Sequence, residues 1–337
     1  MIRMLFYPLI FVSLFLLISN ISHAQERCNF IEYQQSIGND IQNEPFEIWL
    51  NEKEVNKHLL FGTQGRTEET VYLPVVVHVI HSGEPYGVGA NITDEQILSQ
   101  IRVINEDYRR LNPDRNETPD EFLPVAADIG VEFVLARQDP EGNPSIGITR
   151  TAYPSREEWR ITQDDLLKSL SYWPAEDYIN IWVTNLSGNF LGYASFPDYN
   201  LEGIFEKEKD RTKDGMVIDY YNFGSLAYGD FDLDPQYAYG RTLTHEMGHF
   251  FGLRHVWGDG GCGQDDYCSD TPEAQNSNNG FCTRDKSTCG SKDMIQNFMD
   301  YTDDLCMNIF TECQKERMLT VLANAPRRER LIFSPGL

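Results

Sequence analysis

The chain has 337 residues and carries 52 acidic against 28 basic side chains, a formal net charge of −24 at pH 7. Phosphate backbones are held by clustered positive charge, so this balance excludes nucleic acid as a partner. It permits calcium binding and a strongly solvated surface, and the length suits one large domain or two modest ones.

Met4 to Ile18 is nearly all apolar behind Arg3, and Ser22-His23-Ala24 has the small-x-small form of a signal peptidase site. Residues 1–24 are therefore expected to be a signal peptide that directs the chain out of the cell. The competing reading, an uncleaved anchor, has against it an apolar run short for a full span. No later segment is long and apolar enough to cross a bilayer, so no stable membrane anchor is expected after cleavage. Residues 25–66 are polar, without long apolar periodicity, and end in Gly62-Thr63-Gln64-Gly65-Arg66-Thr67, an exposed hinge suited to proteolytic nicking. They read as a pro-segment. Within it stands Cys28, away from the other six cysteines. A thiolate is a strong zinc ligand, so Cys28 is a candidate latch on a metal site; the alternatives are a free thiol or one that pairs with another chain.

Val71 to Ile80 is β-branched and long enough for a central strand. Thr93 and Gln96 fit a capping box, and Ile97, Ile101, Ile104, Tyr108 and Leu111 then repeat as one face of an amphipathic helix. A proline-bearing loop over 112–128 leads to a half-buried strand over Ile129–Arg137. A turn at 139–144, a short helix near Leu166–Leu170 and a central strand over Tyr178–Thr184 follow. Leu191–Pro197 reads as a weaker strand at the sheet edge, where an extended peptide could pair with it. Gly215–Tyr220 gives one more strand, and a helix is expected over Tyr239–Gly252.

That last helix carries Thr244-His-Glu-Met-Gly-His-Phe-Phe-Gly-Leu-Arg-His255. Residues four apart share a helix face, so His245 and His249 can point two imidazoles at one ion. Gly252 accepts the left-handed backbone that ends a helix and lets the chain return His255 as a third ligand. Three neutral imidazoles with one open position describe a catalytic zinc site. The ion would acidify a bound water, and Glu246, next to the first ligand, would take its proton. Beyond Asp259 the chain turns rich in glycine, aspartate and cysteine; Cys262, Cys268, Cys282, Cys289, Cys306 and Cys313 read as three disulfides in a secreted chain. Asp265, Asp266, Asp270 and Glu273 supply hard oxygens of the kind calcium prefers.

The extended histidine motif, followed by Asn297-Phe298-Met299-Asp300-Tyr301, resembles the metzincin clan of metalloproteases. With Ser269-Asp-Thr-Pro-Glu273 and Asn297 to Asn308 the chain looks like the pappalysin family, most like its ulilysin-type secreted bacterial enzymes. The resemblance is strongest over residues 241–318 and weaker back to Val71. It implies an α+β fold: a twisted mixed sheet with a backing helix and the active-site helix, then an irregular, disulfide-rich lower half. Residues 67–337 would form the catalytic domain, with an upper half to about 252 and a lower half from 253. Met299 would floor the zinc site, and Tyr301 would stabilise the oxyanion. Asp266, Ser269, Thr271 and Glu273 match the family's calcium positions. The implied disulfides are Cys262–Cys289 and Cys282–Cys306, which leaves Cys268 and Cys313 to pair as a third. Cys28 matches an occasional cysteine latch of the family, and Arg66 lies where an activating cut is expected. Asp303 and Asp304 would line a pocket preferring arginine or lysine after the scissile bond. The function implied is a secreted, monomeric, latent zinc endopeptidase acting on protein or peptide substrates. The alternative is a calcium-dependent binding or adhesion protein whose zinc site no longer turns over; the intact Glu246 weighs against it.

Overall fold

The computed structural model describes residues 27–36, 44–53, 70–188, 190–198, 210–282 and 286–337. The expected signal peptide and the hinge ending at Arg66 and Thr67 lie outside these residues.

The sheet is built on β1 (Val71–His81), whose β-branched run is buried over eight consecutive positions, Leu73 to Ile80. One edge of β1 pairs in parallel with β4 (Ile179–Thr184), which pairs in parallel with β6 (Gly215–Asp219). The other edge is shared end to end: β2 (Val131–Leu135) pairs with Val71–Val75 and β3 (Ile148–Ala152) with Val77–His81. Strand β5 (Gly192–Ala194) lies antiparallel to β6 at the rim, as the sequence suggests. Parallel strands must be covered on both faces, which is why β1 and β4 read as continuous apolar runs. One face packs on α3 (Asp94–Tyr108) and α5 (Arg241–Phe250); the other carries Ile80, Trp182, Tyr193 and Val217 against Trp159 and Leu167. Leu167 belongs to α4 (Asp164–Ser169), the expected short helix.

In α3 the stripe Ile97, Ile101, Ile104 and Tyr108 is buried, and Thr93 caps the helix by accepting from Gln96 N. Only half of the expected capping box forms, because the Gln96 amide instead donates to Phe223 O. The helix stops at Tyr108, so Leu111 is exposed rather than part of the core.

Strand β3 and helix α6 (Glu312–Asn324) escaped the sequence reading. Strand β3 is short and half-exposed, with no apolar alternation to mark it. Helix α6 starts with a true capping box, Thr311 with Gln314. Its last turns, Arg317 to Ala323, are buried all round, so no one-sided stripe appears. The lower half otherwise consists of turns, a two-residue hairpin of β7 (Ser287–Thr288) and β8 (Ser291–Lys292), and disulfides Cys262–Cys289 and Cys282–Cys306. The third expected bridge is not formed. Cys268 is a buried free thiol facing Cys313 within hydrogen-bonding reach. The Cys313 thiol is turned toward the Tyr267 carbonyl, 3.7 Å away, and the two sulfurs are not joined.

The polar stretch near the N-terminus also contains order that its sequence does not announce. Helices α1 (Phe30–Ser36) and α2 (Glu44–Asn51) are each too short to display a period. This arm follows the sheet rim: Leu191 N donates to Arg27 O, Asn29 N to Gly192 O, and the Gln34 amide to Ala194 O. Phe46 and Leu50 of α2 pack on Val321 and Ala325 of the C-terminal helix region. Among the described residues no helix is long and apolar enough to cross a membrane.

Candidate metal centre and cleft

Helix α5 is buried along its whole length, with Gly240 in the left-handed region at its start (φ +83°) and Gly252 in the same region just past its end (φ +86°). The second glycine reverses the chain, so that His255 returns beside His245 and His249. The Nε2 atoms of His245 and His255 lie 3.1 and 3.0 Å from Nε2 of His249. Zn–N bonds of about 2.0–2.1 Å at tetrahedral angles would separate such atoms by roughly 3.3 Å. With Cys28 Sγ the three nitrogens form a buried group whose ligand atoms all lie within 4.8 Å of one another.

Each ring is oriented from behind. His245 Nδ1 pairs with Phe298 O at 2.7 Å, His249 Nδ1 with Leu253 O at 2.9 Å, and His255 Nδ1 with the Asp259 carboxylate. A carbonyl can only accept, so Nδ1 carries the proton and Nε2 keeps its lone pair for an ion. Burial holds His245 and His249 well below the usual imidazole range, which keeps both neutral. The four donors, two or more of them uncharged imidazoles and one a sulfur, suit zinc.

Glu246 is fully buried beside this group, and its carboxylate faces the Cys28 thiol. Burial pushes its carboxyl up to about 8; a bound dication would act in the opposite sense. Met299 is buried beneath the helix, where a Cβ on Gly248 would come within 2.4 Å of its sulfur. Glycine at 248 is therefore what admits the methionine. Tyr301 stands edge-on to His255 at 5.0 Å between ring centroids, and its hydroxyl donates to the carbonyl of Cys28 at 3.0 Å. Trp257 stacks on the His255 ring at 4.3 Å and meets the Tyr301 ring edge-on at 4.8 Å.

Asp303 and Asp304 part company. Asp304 is fully buried; one oxygen accepts from Tyr239 N and Arg241 N, and the other from Arg27 Nη2 at 2.6 Å. Arg27 Nη1 also donates to Thr302 O, so the guanidinium fills a closed acidic pocket. Asp303 remains near the surface, paired with the Gln236 amide. The calcium candidates divide similarly. Asp266 is buried and accepts from Thr271 Oγ1 and Cys268 N, whereas Ser269 and Glu273 are exposed, the latter accepting from Gly263 N. Sequence reasoning missed Asp259, Trp257, Gly248 and Arg27. Asp259 sits four residues beyond His255, a spacing that could have flagged it; Arg27 could be recognised only from the folded pocket.

A buried three-histidine centre, a neighbouring buried carboxylate and a methionine turn beneath the histidine helix define a metallopeptidase. A family profile described as pregnancy-associated plasma protein-A, peptidase family M43, matches residues 161–323. An extracellular metalloprotease of Arthroderma gypseum is 30% identical over 282 residues, covering 81% of this chain and 80% of the relative. Mature mirolysin of Tannerella forsythia, solved with a cleaved peptide, is 40% identical, with a TM-score of 0.70 over 79% of this chain and 96% of its own. A promirolysin mutant of the same organism is 35% identical, with a TM-score of 0.72 over 91% and 97%. The chain belongs to the pappalysin family of metallopeptidases. It is a secreted metalloendopeptidase with the mixed α+β fold of that family.

Proposed function

We propose that the protein is a latent zinc endopeptidase that cuts before arginine or lysine, and that residues 25–66 are the segment holding it latent. The observation that carries this reading is the seat of Arg27-Cys28. The Cys28 sulfur completes the histidine group, its carbonyl takes the Tyr301 hydroxyl, and the Arg27 guanidinium fills the Asp304 pocket. A cysteine and an arginine side by side would thus take, in one stroke, the open ligand position, the oxyanion donor and the side-chain pocket. Promirolysin's likeness over 91% of the chain, against 79% for mature mirolysin, supports the assignment of the extra N-terminal length to latency.

When bound by His245, His249 and His255, zinc supplies Lewis acidity and lowers the pKa of water. The chain's own groups do the rest. Strand β5 offers main-chain bonds to an extended substrate in the place the arm now takes. Glu246 accepts a proton from the attacking water and returns it to the leaving amine. The Tyr301 hydroxyl, freed from Cys28, donates to the carbonyl oxygen as charge develops on it. Asp304, held rigid by two backbone amides, pairs with a basic side chain after the cut. Asp303, nearer the surface, adds its negative charge at the rim of that pocket. Asp266 and Thr271 are the calcium candidates that the fold brings together.

Metal analysis together with a cleavage profile of a peptide library tests the whole reading. One zinc per chain and cuts preceding Arg or Lys are expected from the chain freed of residues 25–66. Cys28→Ala should shorten the latent phase of the full chain; unchanged latency would remove the latch.

A further inference from the structure

The arm buries a second charged side chain, opposite in sign to Arg27. Glu47 of α2 is held by two guanidinium groups: Arg317 Nη1 and Nη2 donate to its two oxygens at 2.6 Å each, and Arg254 Nε donates at 2.8 Å. All three side chains are almost entirely buried. The two arginines are fixed in advance. Arg317 Nε donates to Gly252 O at 2.6 Å, and both guanidinium groups lie over the Tyr267 ring, at 5.2 Å for Arg254 and 5.8 Å for Arg317. A rigid pair of forks around one carboxylate is a strong, shape-specific acceptor site.

Its place along the cleft follows from the aromatic wall. The arm runs from Arg27 in the Asp304 pocket, past Cys28, to Phe30, which stacks on His249 at 4.0 Å. Phe30 then meets Phe196 at 5.5 Å, and Phe196 meets Phe46 at 4.7 Å, with Arg254 6.0 Å from the Phe196 ring. Asp304 and the arginine pair therefore lie on opposite sides of the metal ligands. If Asp304 serves the residue after the cut, the arginines serve residues before it.

We propose that, in the chain freed of residues 25–66, Arg254 and Arg317 bind the carboxylate of an acidic side chain on the substrate segment preceding the scissile bond. This rests on the reading of the arm as a removable pro-segment. Glu47 departs with the arm and leaves two guanidinium groups aimed at one point, in a molecule that is otherwise strongly acidic. The nearby Asp266 carboxylate takes its hydrogen bonds from Thr271 and Cys268 N and acts on Arg317 only through its charge. Substrates with an acidic residue upstream and a basic residue after the cut would match both pockets.

The test uses the freed chain and peptides with Arg after the cut that differ only by Glu or Gln, scanned over the upstream positions. At one position Glu should raise kcat/KM on the order of tenfold over Gln. Arg254→Gln should collapse that ratio toward one. Arg317→Lys, which keeps a charge but loses the fork, should reduce it. Equal rates for Glu and Gln at every position, or an unchanged ratio in Arg254→Gln, would overturn the proposal. A binding measurement separates it from the catalytic reading. A labelled peptide of residues 43–53 should bind the freed chain on the order of tenfold more tightly than its Glu47→Gln version. Equal binding overturns the inference even if peptides are cut. A clear preference in a preparation that cuts nothing would fault the catalytic reading and leave the arginine site standing.

Discussion

The two halves of the molecule reach order by different means. Up to Gly252 the chain is a sheet with two long helices on one face and a cluster of large apolar side chains on the other, with β1 and β4 buried on both faces. From Leu253 on there is one long helix, and the rest is held by turns, two disulfides and buried polar side chains such as Asn297, Asp300 and Gln314. The upper half supplies His245, His249 and Glu246 on a single rigid helix. The lower half supplies His255, Met299, Tyr301 and Asp304 from irregular chain. The reactive group is thus assembled across the seam. A helix fixes the ligands whose spacing must not vary, and irregular chain delivers groups from directions no helix could reach.

Five changes would break or sharpen this contrast. Glu246→Ala should lower peptide cleavage by about 10²–10⁴-fold, the usual worth of a general base, with melting temperature held; activity within a factor of a few of the parent would sink the assigned mechanism. Replacing Cys282 and Cys306 by serine opens a loop of separation 24 and should cost about 3 kcal/mol. Hydrogen exchange should then rise in the lower half first; equal loosening of β1 and β4 amides would deny the halves separate support. Asp304→Asn keeps an acceptor for Tyr239 N and Arg241 N but removes the charge, so kcat/KM for peptides with Arg after the cut should fall roughly a hundredfold. A smaller loss for neutral residues there would confirm the pocket, and equal losses for both would refute it.

Gly248→Ala puts a methyl against the Met299 sulfur across the seam and should destabilise by about 1–3 kcal/mol, read from denaturant midpoints; an unshifted midpoint would mean the floor yields freely. The smallest effect is expected from pH. Asp214, just before β6, is buried; burial alone would raise its carboxyl, but Arg328 and Arg327 outweigh that and hold it at about 2. Its folded pKa lies below the ordinary value of 3.8. The pairing therefore stabilises the fold above that value by about 2 kcal/mol, and this contribution is lost as pH falls through about 2. An Asp214→Asn variant should show a flatter acid limb in melting temperature; an identical limb would assign acid unfolding to other groups.

The sequence by itself determined the elements whose cause is local. Continuous apolar runs marked β1 and β4, alternation marked β2, a four-three stripe marked α3, and Thr93 marked its start. The spacing of four, the glycine and the returning histidine made the metal group legible without any coordinates, and the family likeness supplied Met299, Tyr301 and two disulfides. The tertiary structure decided everything that depends on segments far apart in sequence. It buried the Asp304 carboxylate against Tyr239 N and Arg241 N and left that of Asp303 with the Gln236 amide nearer the surface. It left Cys268 and Cys313 as separate thiols. It also folded a polar arm with no period of its own into the cleft, where Arg27 meets Asp304 across 277 residues and Glu47 meets Arg317 across 270. Local spacing can announce a ligand set; charge pairs between remote segments exist only once the chain has closed around them.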